Sequence, residues 1–270
     1  MAVATTTDPL SGQSNRYANL PLVGNGMTGR ILRLGDDRVV KVARTFPLDH
    51  LTGKERGDTE YFNAINAQAL ENERNVYERL GSHRGIIQCF QATNDGIELA
   101  FADQGSLDTY IESRPEPHDN VKLGWIASLT DTFCHVHSRR VFVDEIALRN
   151  FVIAADGSLK LIDFGQAVLL PLEADPDTIC ENDLTAKIEI LHLGCIIYSI
   201  VTWTPHKYYY FNPDPHRPKL QDIPLADHLL CGTIIRKCWN GEYANVDALN
   251  KEVRASMVGT DLPEPSHSGF

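Results

Sequence analysis

Between residues 141 and 165 the chain sets short apolar runs against polar residues that a buried strand cannot absorb. Val141-Phe142-Val143 leads into Asp144-Glu145, and Asn150 closes the polar stretch. Two strand-like runs follow, Phe151 to Ala154 and Leu159 to Ile162, joined at Asp156-Gly157. Asp163-Phe164-Gly165 comes directly after the second run.

The rest of the chain divides by character. Short β-type runs from Leu20 to Ala43 flank a Gly-rich turn and an Asp36-Asp37 turn, which predicts antiparallel strands. Arg44 to Asp58 is polar and breaker-rich and reads as a loop. Thr59 to Leu80 reads as a long helix whose apolar stripe is Ala64, Ala67, Leu70, Val76, Tyr77 and Leu80. Ile86 to Ala92 and Ile97 to Phe101 are strands around an Asn94-Asp95-Gly96 hairpin turn. After Gly105 the pattern is helical: Ser106 is the expected N-cap of Leu107 to Ser113, and Val121 to Ser138 is a second helix. From Thr185 the chain is mainly helical, with a Pro-rich break between Thr204 and Pro224. A β-rich front, a short hinge near Ala100 to Gly105 and an α-rich back predict a two-lobed α+β protein. Residues 1–18 are expected to be a disordered leader, and 259–270 a disordered tail.

Charge and apolar content exclude several functions. The formal net charge of -11 gives no long-range attraction to phosphate backbones or anionic lipid, so neither nucleic acid nor membrane is expected as a partner. The longest apolar stretch, Leu193 to Trp203, is well short of the roughly 20 residues of a membrane span. The polar N-terminal stretch has no apolar run of the kind a secretory signal needs, so the expected location is the cytoplasm or nucleus. The six cysteines form no CxxC pair and read as free thiols of a reducing compartment.

Gly24-Asn25-Gly26-Met27-Thr28-Gly29 fits GxGxxG, a pattern that also opens dinucleotide folds. There it joins a strand to a helix. Here a second strand, Arg30 to Leu34, follows it. A Gly-rich hairpin lets backbone amides lie close over phosphates, although a simple flexible turn would have the same composition. Lys41 lies in the apolar run Val39-Val40-Lys41-Val42 and needs an anion if that strand is buried. Glu73, on the long helix, is the natural partner. The alternative is a surface lysine on an edge strand with a solvated glutamate.

With Val141 to Gly165 added, the chain resembles the eukaryotic protein-kinase family over roughly residues 20 to 255. Each family element occurs once and in order: the Gly-rich loop Gly24 to Gly29, the strand lysine Lys41, the helix glutamate Glu73, Asn150, and Asp163-Phe164-Gly165. The resemblance implies a kinase-like domain over residues 19–258. Its small β-rich N-lobe would cover about 19–101 and its larger α-helical C-lobe about 106–258. It further implies ATP and Mg²⁺ as cofactors, with a protein substrate or signalling partner. Asn150 and Asp163 would be the Mg²⁺ ligands, both hard oxygen donors. Gly24, Asn25, Gly26, Gly29, Lys41 and Asp163 would meet the phosphate end of the nucleotide. Leu99 would back the adenine, Ala100 to Ala102 would form the hinge, and Val39 and Val152 would sandwich the base.

The pattern also breaks. Where the family has His-Arg-Asp five residues before the metal asparagine, this chain has Val143-Asp144-Glu145. The catalytic-base position therefore falls on Glu145, one methylene longer, and a displacement near 1 Å can cost about 100-fold in rate. The arginine that would meet a phosphorylated activation loop is replaced by Asp144, which repels phosphate. No clear Ala-Pro-Glu follows Gly165, Pro176-Asp177 being only a distant analogue, and no arginine precedes Arg254 near Cys238-Trp239. Both halves of that family ion pair read as absent. Glu189 stands where the family usually has an aspartate bracing the catalytic loop. Ala147 and Arg149 leave Ser/Thr against Tyr preference open. Three functions follow from the resemblance: a divergent active protein kinase, a pseudokinase that signals by binding ATP, and a small-molecule kinase of related fold. The full Asp163-Phe164-Gly165 triplet weighs against the last.

Overall fold

The computed structural model describes residues 16, 17, 19–206 and 224–257. The expected tail and nearly all of the expected leader lie outside these residues. The chain is α+β and forms two compact units. One contains the described residues up to Arg74 together with Cys89–Phe101; the other contains Asn75–Gln88 and the described residues from Ala102 onward.

The first unit is built on an antiparallel sheet in the order β1-β2-β3-β5-β4, with β1 Leu22–Asn25, β2 Gly29–Arg33, β3 Arg38–Ala43, β4 Cys89–Ala92 and β5 Ile97–Ala100. Val39, Val40, Lys41 and Val42 are all buried, so β3 is covered on both faces. Alternation along the strand puts Val40 and Val42 on one face and Val39 and Lys41 on the other. The first face is sealed by Tyr17, which is 1% exposed, together with Leu20, Leu32 and Leu34. Two details make room for that ring. Gly96 has no side chain where a Cβ would lie 2.7 Å from Val40 and 3.1 Å from Tyr17. The Tyr17 hydroxyl donates to Glu98 Oε1 at 3.2 Å, and Arg16 pairs with the same carboxylate. Thus two residues of the expected leader, Arg16 and Tyr17, belong to the packed structure.

Helix α1 runs Gly53–Leu80, six residues longer at its start than expected. The polar stretch is helical because it supplies its own local partners: Arg56 pairs with Glu60 at 2.9 Å, and Thr59 Oγ1 donates to the Glu55 carbonyl at 2.8 Å. Its buried stripe also differs in phase. Ala64 and Ala67 are exposed, while Asn66, Ala69, Leu70, Glu73, Val76, Tyr77 and Leu80 are buried. Counting only apolar residues misplaced the inward face, because two of the inward positions are polar. Asn66 earns its place by donating to the Arg44 carbonyl at 2.8 Å.

In the second unit α2 (Leu107–Ser113) and α3 (Asp119–Ser138) precede the short strands β6 (Val141–Phe142), β7 (Phe151–Ile153), β8 (Leu159–Leu161) and β9 (Val168–Leu169). Ser106 precedes α2 but makes no side-chain cap; its hydroxyl turns to Asp108. Ile86 and Ile87, expected to open a strand with Cys89, instead meet Leu161: Ile87 N donates to its carbonyl at 3.0 Å. Helices α4 (Ala186–Thr202), α5 (Gly232–Asn240) and α6 (Val246–Met257) complete the unit. Thr185 caps α4 by accepting from Ile188 N at 3.3 Å. Ile190, Leu193, Ile197 and Ile200 of α4 are fully buried. Among the described residues, no helix is long and apolar enough to cross a membrane.

Because Tyr17 fills a closed apolar niche, Tyr17→Ala is expected to lower unfolding free energy by about 3 kcal/mol. Tyr17→Phe, which keeps the ring and loses the bond to Glu98, costs about 1 kcal/mol. Urea unfolding of the full chain checks both.

Candidate functional site

In the first unit the predicted residues converge on Lys41. Its ammonium lies 2.6 Å from Glu73 Oε2, with side-chain exposures of 8% and 1%. The ladder sets Lys41 mid-strand, opposite Ile31 on β2 and Ile97 on β5. Gly29, the last glycine of the Gly-rich loop, lies against the lysine stem: a Cβ there would stand 2.9 Å from Lys41 Cε and 3.3 Å from its Cγ. A side chain at that position would have to displace the lysine stem, which the Glu73 carboxylate holds. Gly24 and Asn25 end β1, and Gly26 N donates to the Gly29 carbonyl at 2.8 Å, closing the hairpin. Val39 is buried opposite Leu99 in register, and Ala100 ends β5 opposite Arg38.

In the second unit Glu145 lies in the loop after β6, and Asn150 ends a single 3₁₀ turn, Leu148–Asn150. The two touch. Asn150 Nδ2 donates to the Glu145 carbonyl at 2.9 Å and to Glu145 Oε2 at 3.3 Å. Arg149 forms an ion pair with the other carboxylate oxygen, Oε1. The β7–β8 hairpin brings Asp163 alongside: Ile162 N donates to the Asn150 carbonyl at 2.9 Å, and Asp163 follows. Asp163 has φ of 63°, and its Oδ1 faces Gly165 N at 3.4 Å. A non-glycine residue in the left-handed region is uncommon and stores strain, a frequent property of site residues. Phe164 is fully buried and packs edge-on against Tyr77, with centroids 5.1 Å apart. Val152 is buried in β7 and bridges to Ser106, and Ala102 begins this unit's longer segment.

The loop carrying Glu145 is braced from below. Glu189, fully buried on α4, accepts from Val143 N at 2.7 Å through Oε1 and faces His137 Nε2 at 2.7 Å through Oε2. The sequence reading missed His137, although its place at the end of α3 is where a residue reaching under the loop must sit. Asp144 is exposed, and no described residue hydrogen-bonds its side chain. Partial desolvation of its carboxyl by the surrounding loop, with the Glu145 charge beside it, raises that carboxyl above the usual range.

The segment after Gly165 is tied to the start of α6 by a hydrogen bond: Asn245 Nδ2 donates to Asp177 Oδ2 at 2.7 Å, with Asp177 exposed. The segment is also held by Ala174, Ile179 and Leu184, which pack with Phe142 and Leu170.

No family model matches the chain. It is 27% identical over 163 residues to mitogen-activated protein kinase kinase kinase 20 of Arabidopsis thaliana, covering 50% of this chain and 47% of that protein. To the probable serine/threonine-protein kinase MARK-B of Dictyostelium discoideum it is 24% identical, over 67% of this chain and 28% of the relative. To the serine/threonine-protein kinase Nek1 of Mus musculus it is 23% identical, over 69% and 16%. These relatives support a protein-kinase family. The chain spans less than half the length of each.

Removing one member of a buried ion pair leaves the other without its countercharge, which costs about 3–5 kcal/mol. Glu73→Ala is expected to destabilise the chain by that amount in denaturant unfolding. The double variant Lys41→Met/Glu73→Leu is expected to recover most of the loss.

Proposed function

We propose that the chain is a phosphotransferase of the protein-kinase family that binds Mg·ATP and passes the γ-phosphoryl group to a protein hydroxyl. The observation that carries this reading is the Lys41–Glu73 pair. Two desolvated charges add little net stability, so an interior lysine kept charged by a buried carboxylate is suited to presenting its ammonium to phosphates. In the first unit we assign Gly24, Asn25, Gly26, Gly29 and Lys41 to the phosphates and Val39, Leu99 and Ala100 to the base. In the second we assign Ala102 and Val152 to the base.

Asn150 and Asp163 fit a hard cation. The Asn150 amide spends its NH₂ on Glu145 and leaves Oδ1, and Asp163 adds carboxylate oxygens. Bound Mg²⁺ would neutralise charge on the transferred group. Lys41 would orient the phosphates, and Glu145 Oε2 would accept the hydroxyl proton. Most of the acceleration would come from positioning and electrostatics.

A second reading, the ATP-binding pseudokinase, is favoured by the partners on Glu145. Both carboxylate oxygens are engaged, by Arg149 and Asn150, and a tied carboxylate is a poor base.

Both readings expect a thermal shift with millimolar Mg·ATP, since a ligand at a hundredfold excess over its Kd adds about 2.7 kcal/mol. Absence of any shift rejects both. Turnover of ATP onto a broad peptide panel, lost in Asp163→Asn, selects the enzyme. Unchanged background transfer in the two proteins selects the pseudokinase.

A further inference from the structure

Glu145 is one methylene longer than the residue its position implies, and the structure shows where the extra length goes. The side chain folds back along its own loop. Oε1 meets the guanidinium of Arg149, four residues on, and Oε2 meets Asn150 Nδ2 at 3.3 Å. The same nitrogen donates to the Glu145 backbone carbonyl at 2.9 Å. Since both of its partners are acceptors, the Asn150 amide must turn its NH₂ toward Glu145 and its Oδ1 away. No donor among the described residues reaches that oxygen, although Asn150 as a whole is only 4% exposed.

We infer that Arg149 is a positioning residue for the metal: by holding Glu145 Oε1 it keeps Oε2 on Asn150, and so fixes Asn150 Oδ1 as a ligand oxygen. The inference rests on the reading of Asn150 as a metal ligand but does not require turnover. The 3.3 Å contact is long, and Glu145 is partly open to water. Without the guanidinium the carboxylate would swing into solvent, leaving Asn150 one hydrogen bond about which to rock. Arg149 is more than half exposed, and exposed ion pairs contribute little to stability. Its loss is therefore expected to change ligand geometry and leave folding intact. An aspartate at position 145 would be too short to reach Arg149 and Asn150 together, so the glutamate and the arginine act as a matched pair.

Mn²⁺ uptake followed by electron paramagnetic resonance in the presence of ATP tests this on the full chain. Nitrogen-15 spectra of the Asn150 side-chain amide, recorded without metal, accompany it. Arg149→Ala is expected to raise the half-saturating Mn²⁺ roughly tenfold, the scale on which losing a residue that orients a metal ligand is felt. It is also expected to shift the Asn150 amide signals while leaving the melting temperature unchanged. Arg149→Lys, which keeps the charge, retains most of the affinity, and Glu145→Asp behaves like Arg149→Ala. Mn²⁺ uptake that is indifferent to Arg149 overturns this inference alone. No uptake by any protein, wild type included, overturns it together with the metal reading.

Discussion

The ion pair between Lys41 and Glu73 dictates much of the first unit. A lysine can lie in the middle of a covered strand only if a carboxylate reaches it, so α1 must turn Glu73 inward. That choice fixes the phase of the helix: Asn66, Ala69 and Leu70 fall on the same face as Glu73, and the alanines at 64 and 67 are turned out. It also constrains β2, where any side chain at Gly29 would press on the lysine stem. The opposite face of β3 is free of this demand and is closed by ordinary apolar packing under Tyr17.

In the second unit the corresponding constraint is the buried carboxylate of Glu189. With no water to solvate it, it takes a backbone amide from the loop and an imidazole from α3. The loop is thereby anchored at Val143, two residues before Glu145, and at its other end by the bond from Ile162 to Asn150. Glu189 and Glu145 each engage both carboxylate oxygens on partners that the structure identifies: Val143 and His137 for the first, Arg149 and Asn150 for the second.

The short hairpins, the order of elements and the Lys41–Glu73 pairing were legible from residue type and spacing. So was the turn at Asp156-Gly157, because a two-strand ladder leaves few registers, whereas the nearness of Asn150 to Asp163 came from the family resemblance. The phase of α1 was not legible, since Asn66 and Glu73 count as polar in any periodicity and face inward for reasons that lie on other elements. The start of α1 was hidden by Gly53 and Gly57, poor helix formers outweighed by local ion pairing. Tyr17 sits in a polar context, and its burial depends on the space left by a glycine far along the chain. Asp177 and Asn245 are separated by 67 intervening residues and match no charged motif, so only folding shows that they meet.

The Asp177–Asn245 hydrogen bond bears on how the chain tolerates substitution. A buried ion pair locks two positions together, because changing either one strands a charge and the intermediate is penalised. A half-buried amide on an exposed carboxylate imposes no such penalty, as water can stand in for whichever partner is lost. Either position can therefore be substituted without stranding a buried charge, and the apolar anchors Ala174, Ile179 and Leu184 continue to hold the segment after Gly165 in place.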